Sequence, residues 1–379
     1  MSMRKRLLLS ALAISASGAP CDAGIAFTDE HGQSIRFSGY MQMRYGIATA
    51  EDGEREDQAA GFDLRRLRLN LQGTAPDGAL DWRVATAPSP RTGTFVVSHA
   101  YARYRFAEGW WVRAGNFRSW YARGWNLGGK NQLTADRPLL PRVFGQGNSE
   151  GVEVAYSADH WRWRAAITDG FYSSRTGLES PREADFSVQW RGEWKTSEPT
   201  WRSFDSTATS FRGERAGALF GVAGVYQTGG DTADPSGDVD RVGATADASL
   251  RGDGWQAQAE IYFQQDGSDP DAGPHDDWGL GLQAAAYLTD ATEPFVRWDY
   301  LRPDSGRGNG GGELQVLTAG ANYYPIPEST ALRFTLDGSI TIGSPEGARD
   351  LVGNLGYLSL PSYTGDRAFS VRAQVQLVF

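Results

Sequence analysis

Residues 101–142 carry eight basic side chains, Arg103, Arg105, Arg113, Arg118, Arg123, Lys130, Arg137 and Arg142, against two acids, Glu108 and Asp136. The whole chain is acidic, with a formal net charge of −9, so this segregation is local. Guanidinium groups gathered in this way neither make nor break bonds. They hold anions, and their planar fork donates paired hydrogen bonds that suit a phosphate-like oxyanion. The longest unbroken link near the N-terminal half, 118–149, lies in the same region. If the chain encloses a lumen and this link folds into it, Arg113, Arg118, Arg123, Lys130 and Arg137 come within reach of a passing anion. As a solvated outer loop, the link would instead bring its arginines to lipid phosphate.

Other chemistry finds little support. Gly147-Asn148-Ser149-Glu150-Gly151 has the spacing of a nucleophile elbow, but that motif needs a strand, a sharp turn and then a helix, and a strand pattern follows here. The four histidines are His31, His99, His160 and His275. The acidic stretch Asp266 to Asp271 with His275, Asp276 and Asp277 lacks the glycine and glutamate positions of a calcium loop and reads as a solvated loop, as does Glu51 to Asp57. No catalytic residue, metal ligand or cofactor is expected, and the acidic balance speaks against a nucleic-acid partner.

The elements that must position the arginines have a period of two. From Phe369 to Phe379, the residues Phe369, Val371, Ala373, Val375, Leu377 and Phe379 share one face and Ser370, Arg372, Gln374 and Gln376 the other. In another segment, Leu67, Leu69 and Leu71 oppose Arg66, Arg68, Asn70 and Gln72. About sixteen such segments predict strands, from 34–48 and 62–74 through to 331–341 and 367–379. Apolar-out, polar-in strands of this length are the sequence form of an outer-membrane β-barrel. The fold class expected is therefore all-β, a transmembrane antiparallel barrel of about sixteen strands with an inward-folded constriction loop. Links alternate between short turns and longer loops, the long ones at 49–61, 118–149, 169–184, 228–240, 266–276 and 342–366. Residues 197–215 break this rule, standing where a short turn is due; they are either a missed strand pair or an insertion on the periplasmic side.

Arg4-Lys5-Arg6 followed by the apolar run Leu7 to Ala16 and small residues predicts a secretory signal peptide. Cleavage is placed after Ala23, giving a signal segment 1–23 and a barrel domain 24–379. It would remove Cys21, the only cysteine; lipid attachment at Cys21 is the alternative. The apolar run is too short to span a bilayer as a helix, and without a cysteine pair no disulfide framework is available.

Alternation also sends Arg36, Arg44, Arg66, Arg68, Arg83, Arg162, Arg164, Arg297, Arg333 and Arg372 to the polar face, with Asp81, Glu260, Asp299 and Asp337. A ladder of Arg44, Arg66, Arg68, Arg83, Arg103 and Arg105 would lower the barrier to an anion along the path. For any one of them the alternative is a salt bridge that braces the wall.

The stretch from Phe62 to Leu140 resembles the phosphate-selective porin O/P family. The resemblance is carried by the arginine-rich run Phe62 to Gly73, by Ser98 to Phe106, by Val112 to Arg118, which in the family enters the constriction loop, and by Gly151 to Val154. It implies a sixteen-stranded trimer with an arginine ladder and a basic constriction, in which Asn116 and Arg118 stand at the entry to the loop. The chain departs from the family at His99, where an acid is common, and in having only Lys5, Lys130 and Lys195 as lysines. The expectation is an anion-selective passive channel of the bacterial outer membrane, with small anions, phosphate first, as its solutes. Its other partners would be outer-membrane lipid, lipopolysaccharide and two further copies of itself. The alternatives are a general or other-solute porin and, in a different class, a barrel enzyme or adhesin.

Overall fold

The computed structural model describes residues 24–52, 55–88, 93–173, 180, 184–229, 240–267, 273–307, 311–343, 348–352 and 367–379. The expected signal segment, 1–23, lies outside them. A short strand β1 (Ile25–Thr28) precedes β2 (Ser34–Asp52), β3 (Arg55–Thr74), β4 (Leu80–Pro88), β5 (Phe95–Ala107), β6 (Trp110–Arg118), β7 (Asn148–Ser157) and β8 (Trp161–Thr168). They are followed by β9 (Phe186–Lys195), β10 (Gly217–Thr228), β11 (Arg241–Gly252), β12 (Trp255–Asp266), β13 (His275–Ala286), β14 (Thr292–Arg302), β15 (Leu314–Tyr323), β16 (Leu332–Gly343) and β17 (Arg367–Val378). Each strand from β2 to β17 pairs antiparallel with the next, and β17 pairs with β2, so sixteen strands close a barrel while β1 only caps the start of β2. All sixteen expected strand segments are present.

The side-chain alternation is inverted relative to a soluble protein. In β17, Ser370, Arg372, Gln374 and Gln376 are buried, while Phe369 and Leu377 are 45% and 42% exposed. The exposed apolar faces make a continuous outer surface that lipid can cover. Aromatic rings gather toward its edges: Trp110 lies 5.1 Å from Tyr156 and from Trp163 near one rim, and Phe263 lies 4.6 Å from Trp278 near the other, as interfacial belts do. No helix among the described residues is long and apolar enough to cross a membrane.

The ring closes on its last residue. Gly39 N donates to the Phe379 carbonyl at 2.6 Å and Phe379 N to the Gly39 carbonyl at 3.0 Å. A Cβ on Gly39 would stand 2.8 Å from the Phe379 ring and 2.7 Å from the Arg68 carbonyl, so only glycine admits this approach. The strand ends at Ser34 and Val378 therefore share one mouth, called here the terminal mouth.

Two expected links differ. Residues 49–61 are mostly not a loop, since β2 runs to Asp52 and β3 starts at Arg55. Continuous backbone pairing from Ala48 with Ala59 out to Asp52 with Arg55 extends the hairpin beyond the alternation of side chains. Residues 197–215 are an insertion, not a strand pair: they hold only the short helix α3 (Trp201–Phe204), and β9 pairs directly with β10.

Candidate functional site

Neighbouring strands set the basic wall. On β3, Arg66, Arg68 and Asn70 point inward, paired in register with Gln42, Tyr40 and Ser38 of β2. Arg83 of β4 donates to Asn70 Oδ1 at 2.6 Å. A β-bulge between Gln42 and Met43 shifts the register, and both Arg65 and Arg66 then reach the inner face, where strict alternation would have sent Arg65 outward.

The link from β6 to β7 contains two short α-helices, α1 (Arg123–Asn126) and α2 (Leu139–Val143), with a 3-10 turn at Gly129–Asn131 between them. It packs against the polar inner face. The carbonyls of Gly129, Lys130, Gln132 and Leu133 accept from Gln42, Gln376, Arg333 and Asn322 at 3.1, 3.2, 2.7 and 3.0 Å. Its apolar part, Leu139, Leu140 and Phe144, joins inward-facing Tyr262, Leu301, Leu314 and Val316 in one buried cluster, with Phe144 stacked on Tyr262 at 5.2 Å. Polar and apolar contacts together hold the link to the wall from β12 round to β2.

Asp136 is the electrostatic anchor. It is fully buried and lies within 4.0 Å of Arg44, Arg65, Arg66 and Arg372, at 2.8, 2.9, 3.7 and 3.3 Å. Burial alone would raise its carboxyl, but the guanidiniums of Arg65, Arg44, Arg372 and Arg66 outweigh it and hold the group well below the usual carboxylate range. Charge-assisted bonds of this kind contribute roughly 1.5–3 kcal/mol each.

The expected site residues divide into two sets. Arg113 is taken up by Glu153 at 2.7 Å and lies 4.1 Å over the Phe117 ring. Arg123 turns to the β11 wall, donating to Ser249 Oγ and to the Phe204 carbonyl. Lys130 reaches the β17 side through its carbonyl. Arg103 and Arg105 lie at the terminal mouth, both paired with Asp81, and Arg44 is divided between Asp63 and Asp136. Asn116 is buried, with its Oδ1 3.5 Å from Asn148 Nδ2.

The second set converges. Arg118 donates to the Trp125 carbonyl at 2.9 Å and Arg137 to the Leu127 carbonyl at 3.0 Å. The Trp125 ring lies 5.3 Å from the Arg118 guanidinium and 4.4 Å from that of Arg137, contacts worth about 0.5–2 kcal/mol each. Among the described residues, no carboxylate pairs with Arg68, Arg83, Arg118 or Arg137. Burial and the nearby guanidiniums of Arg118, Arg66 and Arg68 push the Arg137 group well below the ordinary arginine value. Crowding that disfavours these cations favours any anion placed among them.

A family model of phosphate-selective porins O and P matches residues 37–226, half of the chain. The chain belongs to this family. Among solved structures, this porin is similar to an anion-selective porin from Comamonas acidovorans, with a TM-score of 0.62 and 11% identity over 92% of this chain and 100% of that one. It is also similar to the trimer form of OmpT from Vibrio cholerae, with a TM-score of 0.61 and 11% identity over 92% and 99% of the two chains. The Salmonella typhi OmpF gives a TM-score of 0.58 and 14% identity over 94% and 100%. At these identities the likeness shows the barrel fold. A search of curated proteins finds no match.

Three features of the porin's inner wall escaped the reading of its sequence. In the sequence Asp136 is only one of two acids, with Glu108, in a basic stretch, although its place among arginines is the available signal. Arg65 required the bulge. Trp125 required the fold of the loop, since nothing local announces that its ring will be shared between Arg118 and Arg137.

Proposed function

We propose that this porin passes small anions across the outer membrane by passive diffusion, with inorganic phosphate as its leading solute. The observation that carries the reading is the meeting of Arg68, Arg83, Arg118 and Arg137 on one stretch of inner wall with no carboxylate among the described residues to neutralise them. Arg66, which donates to Gln42 Oε1 and to the Ala135 carbonyl, adjoins them. The link 119–147 acts as the constriction and Asp136 holds it in place. Arg44, Arg103, Arg105, Arg113 and Arg123, the last 4.0 Å from Asp247, are braced by acids and contribute less to the path; Lys130 meets β17 through its carbonyl. The positive field comes from a few unmatched groups in a confined, low-dielectric passage, which is why a net charge of −9 does not decide selectivity.

The family description and the anion-selective neighbour from Comamonas acidovorans support this reading. The trimer form of the Vibrio cholerae neighbour supports a homotrimer, set in lipid and lipopolysaccharide. Residues 1–23 serve as the export signal and 24–379 as the mature barrel, with the terminal mouth facing the periplasm.

Reversal potentials of the purified protein in a planar bilayer under a potassium chloride gradient test the reading. Chloride is expected to pass in preference to potassium, and phosphate to block chloride current at concentrations where sulfate does less. A cation-selective channel would overturn it.

A further inference from the structure

The insertion between β9 and β10 folds inward at the terminal mouth. Asp205 accepts from Arg162 of β8 at 2.7 and 3.1 Å. The Thr209 carbonyl accepts from Arg251 of β11 at 2.7 Å, and Thr209 Oγ1 lies 3.0 Å from Glu293 of β14. The Ala208 carbonyl accepts from the Tyr324 hydroxyl, just past β15, at 2.9 Å. The segment is thus fastened to inward groups from β8 round to just past β15, half of the sixteen-stranded ring. Within the segment, Phe204, Thr207, Ala208 and Ser210 are buried. It also meets the constriction link, because Thr207 N and Thr207 Oγ1 both donate to the Asn131 carbonyl at 2.9 Å.

The other half of the ring runs from β16 through β17 and β2 to β7, and its strands β3, β4 and β6 carry Arg68, Arg83 and Arg118, with which no carboxylate pairs among the described residues. At the border stands Trp201, half-buried, its ring 4.4 Å from the Arg162 guanidinium and 5.4 Å from Lys195 Nζ, with Nε1 donating to the Ala158 carbonyl at 2.7 Å. A bare turn would have left this mouth open across its full width.

We propose that residues 196–216 form a second filter at the terminal mouth, which sets an upper solute size by confining the passage to the β2–β7 side, with Trp201 as its rim. The filter goes beyond the anion reading, since a size limit holds whichever ion passes. Physically, a segment tied down by ion pairs and carbonyl acceptors at many strands cannot swing aside as a frayed turn would, so it excludes volume at all times.

The test is single-channel conductance with uncharged polyethylene glycols of graded size added to one side at a time. Replacing 199–212 by a short glycine-serine link is expected to raise conductance roughly 1.5- to 2-fold and to admit larger polymers from the terminal side only, with the ion preference kept. Trp201→Ala, which leaves the carbonyl and Asp205 anchors in place, is expected to shift the same one-sided cut-off by a smaller amount, and it decides the matter if the deletion fails to insert. Unchanged conductance and cut-off in Trp201→Ala would overturn the proposal. So would a deletion that enlarges the pore equally from both sides or abolishes ion preference, because the insertion would then act only by propping the constriction link. Loss of anion preference in the unmodified protein would instead count against the anion reading and leave the size filter standing.

Discussion

Arg372 Nη1 lies 3.3 Å from Asp136 Oδ2, although 236 residues separate them. The contact joins the last strand of the barrel to the middle of the β6–β7 link. Arg372 Nε also sits 2.7 Å from Asp337 Oδ1 on β16, and the Ala135 amide donates to Asp337 Oδ2 at 3.0 Å. The loop is therefore gripped by the seam at which the barrel closes.

Asp136→Asn should free that grip. Arg44, Arg65, Arg66 and Arg372 would lose their shared carboxylate while remaining buried, and removing one partner of such a cluster costs about 3–5 kcal/mol. The expected result is noisier open-channel current and faster proteolysis within 119–147, with the barrel intact. Current and proteolysis unchanged from the parent protein would show that the carbonyl and apolar contacts suffice.

The same group sets a pH dependence. Its carboxyl is depressed in the folded protein, so its stabilisation is fully present above the ordinary value near ~4 and is lost as pH falls through the lower folded-state value. Open-channel noise should stay flat from neutral pH down to about 4 and rise only in stronger acid. A rise that begins near pH 6 would point to another group.

Arg118→Ala removes a cation from the unmatched set. A charge-assisted contact of roughly 1.5–3 kcal/mol corresponds to about ten- to hundredfold weaker phosphate block. Arg302, exposed at the outer end of β14, is the control, and Arg302→Ala should change little. Equal effects of the two substitutions would remove Arg118 from the binding site.

Trp125→Ala takes away the ring shared by Arg118 and Arg137. Phosphate block should weaken by roughly three- to thirtyfold, as expected for the loss of about 0.5–2 kcal/mol of cation–π contact, while chloride preference persists because the charges remain. Titration of the block in the bilayer separates this outcome from a loss of selectivity, which would mean the loop had moved.

Gly39→Val tests closure. A side chain there meets the Phe379 ring and the Arg68 carbonyl, and overpacking costs typically about 1–3 kcal/mol. The folded, fast-migrating band on unheated gels should disappear at a lower temperature than for the parent barrel. Identical melting would show that the last residue does not seal the ring.

The sequence by itself determined the strands, because alternation is a local property: Ser370, Arg372, Gln374 and Gln376 reveal their shared face within a single segment. It determined the barrel for the same reason, since apolar-out faces repeated along the chain leave closure as the way to satisfy every backbone edge. It also marked 118–149 as basic and 197–215 as irregular. Tertiary structure decided which charges survive. Whether an arginine is neutralised depends on residues far away in the chain, as with Arg123 at 4.0 Å from Asp247 or Arg113 beside Glu153, and no window of sequence contains both partners. Arg65 turned inward because of a one-residue bulge set by its pairing with β2. The insertion became an inward segment only because Arg162, Arg251, Glu293 and Tyr324, drawn from four separate stretches of chain, meet it at one mouth. Periodicity is written residue by residue, whereas ion pairing across a lumen is a property of the closed ring.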